Sequence, residues 1–150
     1  MQLSTKSRYA ARALVELALE YGQKPVKLKD VAARQEISLK YLEQVMFPLR
    51  ISGYVKTHKG SKGGYVLAKP PQEINMYDIV KTVEGSLSPV DCVDNPDTCQ
   101  RIDNCVTRKV WVGLKEAIYN ELSKISLAEL AERQRLIHQT MKKDQSTEKE

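Results

Sequence analysis

The chain has 150 residues, 41% of them hydrophobic and 29% charged, which suits one globular domain with a real core. No apolar run approaches the roughly 20 residues of a membrane span, and the opening MQLSTKSRYAARAL has neither a signal-peptide core nor a cleavage signature, so no membrane partner and a cytoplasmic location are expected. The net charge of +5 is unevenly laid: residues 1–70 carry 13 Lys and Arg against 5 Asp and Glu, whereas residues 71–110 carry 4 against 7, so the first half is the one suited to a polyanion.

Residues 8–21, RYAARALVELALEY, place Ala11, Leu14, Val15 and Ala18 at helical spacing, and Gly22 and Pro25 end that helix. Leu28, Val31 and Ala32 make a short amphipathic helix, followed by a turn at Gln35-Glu36-Ile37. Ser38 is a good N-cap for the next helix, which turns Leu39, Leu42, Val45 and Met46 inward. Two short helices joined by a tight turn form a helix-turn-helix. Pro48 removes one backbone bond and crowds the carbonyl of Gln44, so a kink or break is expected there.

Tyr54–Thr57 and Tyr65–Ala68 read as short strands joined by the basic, glycine-rich tip HKGSKGG. A helix-turn-helix followed by such a hairpin is a winged helix. The tip lacks the spacing and the strand–helix frame of a phosphate-binding loop. INMYDIVKTVEG offers a further helix through Ile79, Val80 and Val83. A loop over about 88–105 then leads to a stripe of Val106, Val110, Trp111, Leu114, Ile118, Leu122 and Ile125. That stripe predicts a helix of roughly 20 residues, near 30 Å long, suited to a dimer interface or to packing back on the first helix. Another helix starts at Ser126, and the polar end MKKDQSTEKE is expected to be disordered.

The fold class expected is therefore mainly α: a winged helix-turn-helix domain over 1–70 with a small β-hairpin wing, a cysteine loop and long C-terminal dimerisation helices over 71–138, and a disordered tail over 139–150. A recognition helix needs polar side chains near its N-terminus, and Ser38, Lys40, Tyr41, Glu43 and Gln44 qualify. Gln44 can pair with adenine and Glu43 can accept from cytosine. His58, Lys59, Ser61 and Lys62 on the wing, with Lys6, Arg8 and Arg12 around the first helix, can grip phosphates or enter a minor groove. The expected partner is double-stranded DNA. No nucleophile–base–orienter set appears, and the two histidines, His58 and His138, lie in no motif, so an enzyme is not expected.

All three cysteines, Cys92, Cys99 and Cys105, fall in the acidic loop at spacing Cys-x6-Cys-x5-Cys. Structural zinc prefers four ligands and tighter Cys-x2–4-Cys knuckles. The wide spacing suits an iron–sulfur cluster, whose irons can take thiolates from separate parts of one loop. A metal-free thiol switch is the alternative, against which acidic neighbours are expected to raise thiol pKa values.

The opening MQLSTKSRYAARAL, ISLKYLEQV, the wing GSKGGYVLA, the three-cysteine loop and CVTRKVW together resemble the Rrf-type winged-helix transcriptional regulators, in particular their iron–sulfur-responsive, IscR-like branch. The resemblance covers about residues 1–138. It implies a homodimer formed through the long helix and two winged helices presented to a palindromic operator. It also implies a 2Fe–2S cluster on Cys92, Cys99 and Cys105, and a base-reading Glu43 whose preference follows the cluster state. Two departures concern the fourth ligand. The iron–sulfur branch has a histidine three residues after the third cysteine, where this chain has Arg108, which stays protonated. A nitric-oxide-sensing branch takes an aspartate from the partner's first helix, at a position that is Arg8 here. Asp94, Asp97, Asp103, Thr107, a residue across the dimer, or exogenous water or thiol then remain, and a labile cluster is implied. Another branch senses cysteine metabolism without a metal, which keeps the thiol reading alongside.

Overall fold

A computed structural model describes residues 2–147. The first helix, α1 (Thr5–Leu19), starts three residues before the expected segment 8–21, so Lys6 and Arg8 lie on the helix itself. Ser4 precedes α1 without capping it through its own side chain. The capping acceptor is instead Glu84, whose carboxylate takes the Ser4 N–H at 2.8 Å, the Ser4 hydroxyl at 2.6 Å and the buried Ser7 hydroxyl at 2.5 Å.

Next come α2 (Leu28–Arg34) and α3 (Leu39–Ile51). The turn between them closes through Ile37 N–H to the Ala32 carbonyl (3.0 Å) and Glu36 N–H to the Ala33 carbonyl (3.2 Å). That 6→1 and 5→2 pair needs a left-handed residue, and Glu36 supplies it at φ 55°. Ser38 caps α3 by accepting from the Tyr41 N–H at 3.1 Å. Glu16 of α1 ties down the end of α2, accepting from Arg34 and from Gln35 Nε2 at 3.0 Å.

Pro48 does not break α3, which runs on to Ile51. The bond it forgoes belongs to the carbonyl of Gln44, an exposed residue whose carbonyl water can serve. The Pro48 carbonyl still accepts from Ser52 N–H at 2.9 Å.

Strands β1 (Val55–His58) and β2 (Gly64–Leu67) pair antiparallel, with Val55 opposite Leu67 and His58 opposite Gly64. A third segment joins this hairpin: Val26 and Tyr65 exchange both backbone bonds, at 2.9 and 2.8 Å. Two glycines allow the close fit. A Cβ on Gly63 would lie 2.1 Å from the His58 carbonyl oxygen, and one on Gly64 would lie 2.5 Å from that of Val26.

A 3-10 turn (Pro71–Glu73) leads to α4 (Met76–Glu84), capped by Asn75, which accepts from Asp78 N–H at 2.9 Å. The cysteine loop contains α5 (Asp91–Asp94) and 3-10 turns at Pro96–Thr98 and Ile102–Asn104. It ends at α6 (Arg108–Ser123), and α7 (Leu127–Thr147) closes the described chain. Mainly α with a two-stranded wing, this is the architecture expected.

Two corrections concern the C-terminal part. The long helix α6 packs on α4 and α5, while α7 is the helix that packs on α1. And α7 stays helical through Thr147, where a disordered tail was expected from 139; residues 148–150 of that tail lie outside the described residues. Good helix formers such as Met141, Lys142, Lys143 and Gln145 extend a helix already nucleated on the core. Leu127 N–H donates to the Ile74 carbonyl at 2.7 Å and Met76 N–H to that of Ile125 at 2.9 Å. Ile74, Ile79, Leu127 and Ala131 thus share one buried cluster with Leu14, Leu17, Leu42, Met46 and Leu49.

Candidate nucleic-acid interface and cysteine loop

Leu42, Val45, Met46 and Leu49 of α3 are buried, whereas Leu39, expected to turn inward, is 40% exposed in the first turn; Ser38, Lys40, Glu43 and Gln44 are also exposed, the last three on the outer side of α3. Phe47 shares that outer side at 55% exposure, with the Arg50 guanidinium 5.7 Å from its ring centre. The sequence reading did not single out Phe47, because an aromatic residue in an apolar run suggests core. Its angular distance from the buried four was the available signal.

Tyr41 turns away from this outer side. It is half-buried, its hydroxyl is 2.8 Å from that of Thr5, and its ring meets Tyr9 edge-on at 6.0 Å. These contacts join the start of α3 to the start of α1. Arg12 lies over the Tyr9 ring at 5.8 Å, so a guanidinium stands beside that junction. Arg8 is exposed on α1, as is Lys6, whose charge also acts on Glu84. On the wing, His58, Lys59, Ser61 and Lys62 are all exposed. Ser61 and Lys62 border, with Arg12, Lys24 and Arg135, a groove of about 1330 Å³ floored by Ala11, Val15 and Leu19.

In the loop, Cys92 sits in α5, Cys99 follows the Pro96–Thr98 turn, and Cys105 stands three residues before Arg108, the first residue of α6. All three are free and half-buried. Cys105 Sγ lies 3.3 Å from the Thr107 hydroxyl. That hydroxyl, then the Arg108 backbone N–H and the charge of Arg101, hold the Cys105 thiol below its ordinary pKa. For Cys105 this corrects the expectation of a raised pKa: donors at a helix N-terminus outweigh the effect of burial.

Asp94 is fully engaged. Its carboxylate accepts from Lys115 Nζ of α6 at 2.5 Å, from the Ser86 hydroxyl, and from the Ser88 hydroxyl at 2.5 Å. Lys115 first, then the serines, keep it well below the usual carboxylate range. Asp94 therefore clamps the loop to α6, and nothing in the sequence pointed to Lys115 as its partner. Asp97 and Asp103 are exposed.

The donor set fits a 2Fe–2S group in its chemistry. Three thiols stand on one loop, and hydrogen bonds lower the pKa of one of them, Cys105. Arg108, at the start of the helix that follows Cys105, carries a buried polar atom with no partner, its Nε, and an anionic group is the kind of acceptor that such a donor lacks. Arg108 lines a small cavity with Val93, the neighbour of Cys92. Among the described residues, no three His, Cys, Asp or Glu side chains converge as a ready-made metal site, and no helix is long and apolar enough to cross a membrane.

The family model described as Rrf2, iron-dependent transcriptional regulator, matches residues 3–133. The protein rrf2 of Nitratidesulfovibrio vulgaris is 39% identical over 130 residues, covering 87% of each chain. Among solved structures, that of CymR, the global cysteine regulator of B. subtilis, superposes with a TM-score of 0.76 at 34% identity, covering 89% of this chain and 98% of CymR. That of IscR from T. potens gives 0.72 at 38% identity, covering 89% and 88%. A winged helix-turn-helix carrying a cysteine loop, matched over nearly its whole length by the Rrf2 model and by transcriptional regulators, places this chain in the Rrf2 family of transcriptional regulators.

Proposed function

We propose that the chain is a cytoplasmic, homodimeric, DNA-binding regulator whose operator affinity is set by a 2Fe–2S cluster on Cys92, Cys99 and Cys105. Residues 1–70 form the DNA-reading unit and residues 71–138 the sensing and dimerising unit. The observation that carries the reading is the cysteine loop itself. It carries every thiol of the chain, runs into Arg108, whose Nε is buried without a partner, and joins the foot of a helix with an exposed apolar stripe.

Glu43 and Gln44 read bases in a major groove, Lys40 holds phosphate beside them, Ser38 caps the helix at its entry, and Tyr41 fixes the helix against α1. His58, Lys59, Ser61 and Lys62 on the wing, together with Lys6, Arg8 and Arg12, hold phosphates or the minor groove. Two such units related by a two-fold axis read a palindrome. When bound, the cluster supplies an occupancy and charge that respond to oxidants and to iron–sulfur supply. Asp94 and Lys115 join the loop to α6, and Glu84, at the loop's other end, holds Ser4 and Ser7 of α1. A change in the loop is thereby presented both to the proposed dimer helix and to the helix beside the recognition helix.

A second reading is supported by the lowered pKa of Cys105 and by likeness to CymR. In it the thiols act without metal, and the signal is thiol oxidation or cysteine metabolism.

Anaerobic purification with iron and sulfide analysis separates the two, with Cys92→Ala alongside. Absorption between about 400 and 460 nm with about two irons per chain, lost in Cys92→Ala, supports the cluster. So does operator affinity that differs between cluster-loaded and cluster-free protein. Iron-free protein whose DNA binding is abolished by a thiol oxidant establishes the second reading in its place.

A further inference from the structure

We infer that Phe47 reads thymine methyl groups, a specificity contact that rests on the DNA-binding reading above. With 3.6 residues per turn, Phe47 lies within roughly 60° of Gln44, 40° of Glu43 and 20° of Lys40 around α3. It stands in the middle of the side proposed to enter the groove. Its 55% exposure is large for a phenyl ring, and it is shared on this side by Ile51 at the end of α3, at 69%, whereas Leu42, Val45, Met46 and Leu49 are buried. Burial of such a ring on a partner is favourable, and its surroundings decide which partner. Lys40, Glu43, Gln44 and Arg50 flank it, and the exposed Ile51 follows one turn on, which makes a polar surface with a narrow apolar strip and not a broad hydrophobic patch.

In the major groove the apolar feature to match is the C5 methyl of thymine. Gln44, suited to adenine, lies about 4.5 Å back along the helix axis, on the order of one base-pair step of about 3.4 Å. Gln44 and Phe47 thus address neighbouring base pairs, one by hydrogen bonds and the other by burial of a methyl. The Arg50 guanidinium over the ring, 5.7 Å from its centre, limits where the ring can swing.

The test uses an operator recovered by the full-length protein from a random-sequence duplex pool. Each thymine is then replaced by uracil, which removes only the methyl. Wild type is expected to lose about fourfold in affinity at one thymine per half-site. Phe47→Ala binds the thymine and uracil forms of that position equally, while Phe47→Leu, still apolar, keeps part of the discrimination. The assignment is overturned if no uracil substitution weakens wild type, or if Phe47→Ala remains as sensitive as wild type. A protein that enriches no sequence at all defeats the DNA-binding reading first and this inference with it.

Discussion

Glu84 shows how one side chain can join distant parts of the chain. Burial pushes its carboxyl up, but the hydrogen bonds from Ser4 and Ser7 and the charge of Lys6 outweigh that and lower it overall. A carboxyl lowered on folding stabilises the fold above its unfolded value of about 4.3, and that contribution is lost as pH falls through the lower folded value. Glu84→Ala is expected to cost about 1–3 kcal/mol at pH 7, because the Ser7 hydroxyl, in a residue 2% exposed, is left without its acceptor. Urea unfolding of both proteins at pH 7 and pH 3 checks the sign. The gap should narrow at the lower pH, and a gap of constant size would show that ionised Glu84 is not what holds α1. No sequence pattern announces this contact, since its partners lie 77 and 80 residues away. Cys92, Cys99 and Cys105 were legible as a group from clustering alone, whereas the depressed thiol of Cys105 depends on where α6 begins.

Among the elements, the helix-turn-helix was the most legible because its signals are local: Leu28, Val31 and Ala32 at helical spacing, a turn, and then Ser38 as cap. The wing was legible as two strands but not as three segments, because Val26 joins Tyr65 through just two backbone bonds and no strand pattern surrounds it. That extra pairing explains Gly64, where a Cβ would meet the Val26 carbonyl. Gly63 lies against the backbone of His58 and Lys59, with no flexible side chain to yield. Gly63→Ala is therefore expected to force the hairpin open at a cost of about 1–3 kcal/mol. Thermal melting should show the loss. DNA affinity should fall further than stability alone explains, since the displaced segment carries Lys59, Ser61 and Lys62. An unchanged melting temperature together with unchanged affinity would mean the hairpin accommodates the methyl and the wing is not held this closely.

For the whole molecule, the open matter is what covers α6. Its inner side, with Trp111, Lys115, Ile118 and Leu122, is half-buried and turned toward α4 and α5. Its outer side is not covered: Val110 is 60% exposed and Leu114 39%, and Val106, just before the helix, is 87% exposed. Gly113 and Ala117 lie beside them, small enough to let another helix approach closely. A two-fold pairing of α6 with its copy would bury this stripe, and it would also set the spacing of the two recognition helices. Val110→Glu combined with Leu114→Glu places charges in the middle of the stripe without touching a buried residue. The double variant is expected to keep its helical spectrum and to sediment as a single chain of 17.0 kDa, where the parent sediments as two. Its operator affinity should fall by about a hundredfold or more, because the second half-site is no longer held at high effective concentration. The residual binding should be weak and strongly salt-dependent. A double variant that remains dimeric would remove α6 from the interface and leave the exposed second half of α7, with Leu136, Ile137 and Met141, as the surface to test. A monomer that still binds the full palindrome as tightly as the parent would instead separate dimerisation from operator recognition.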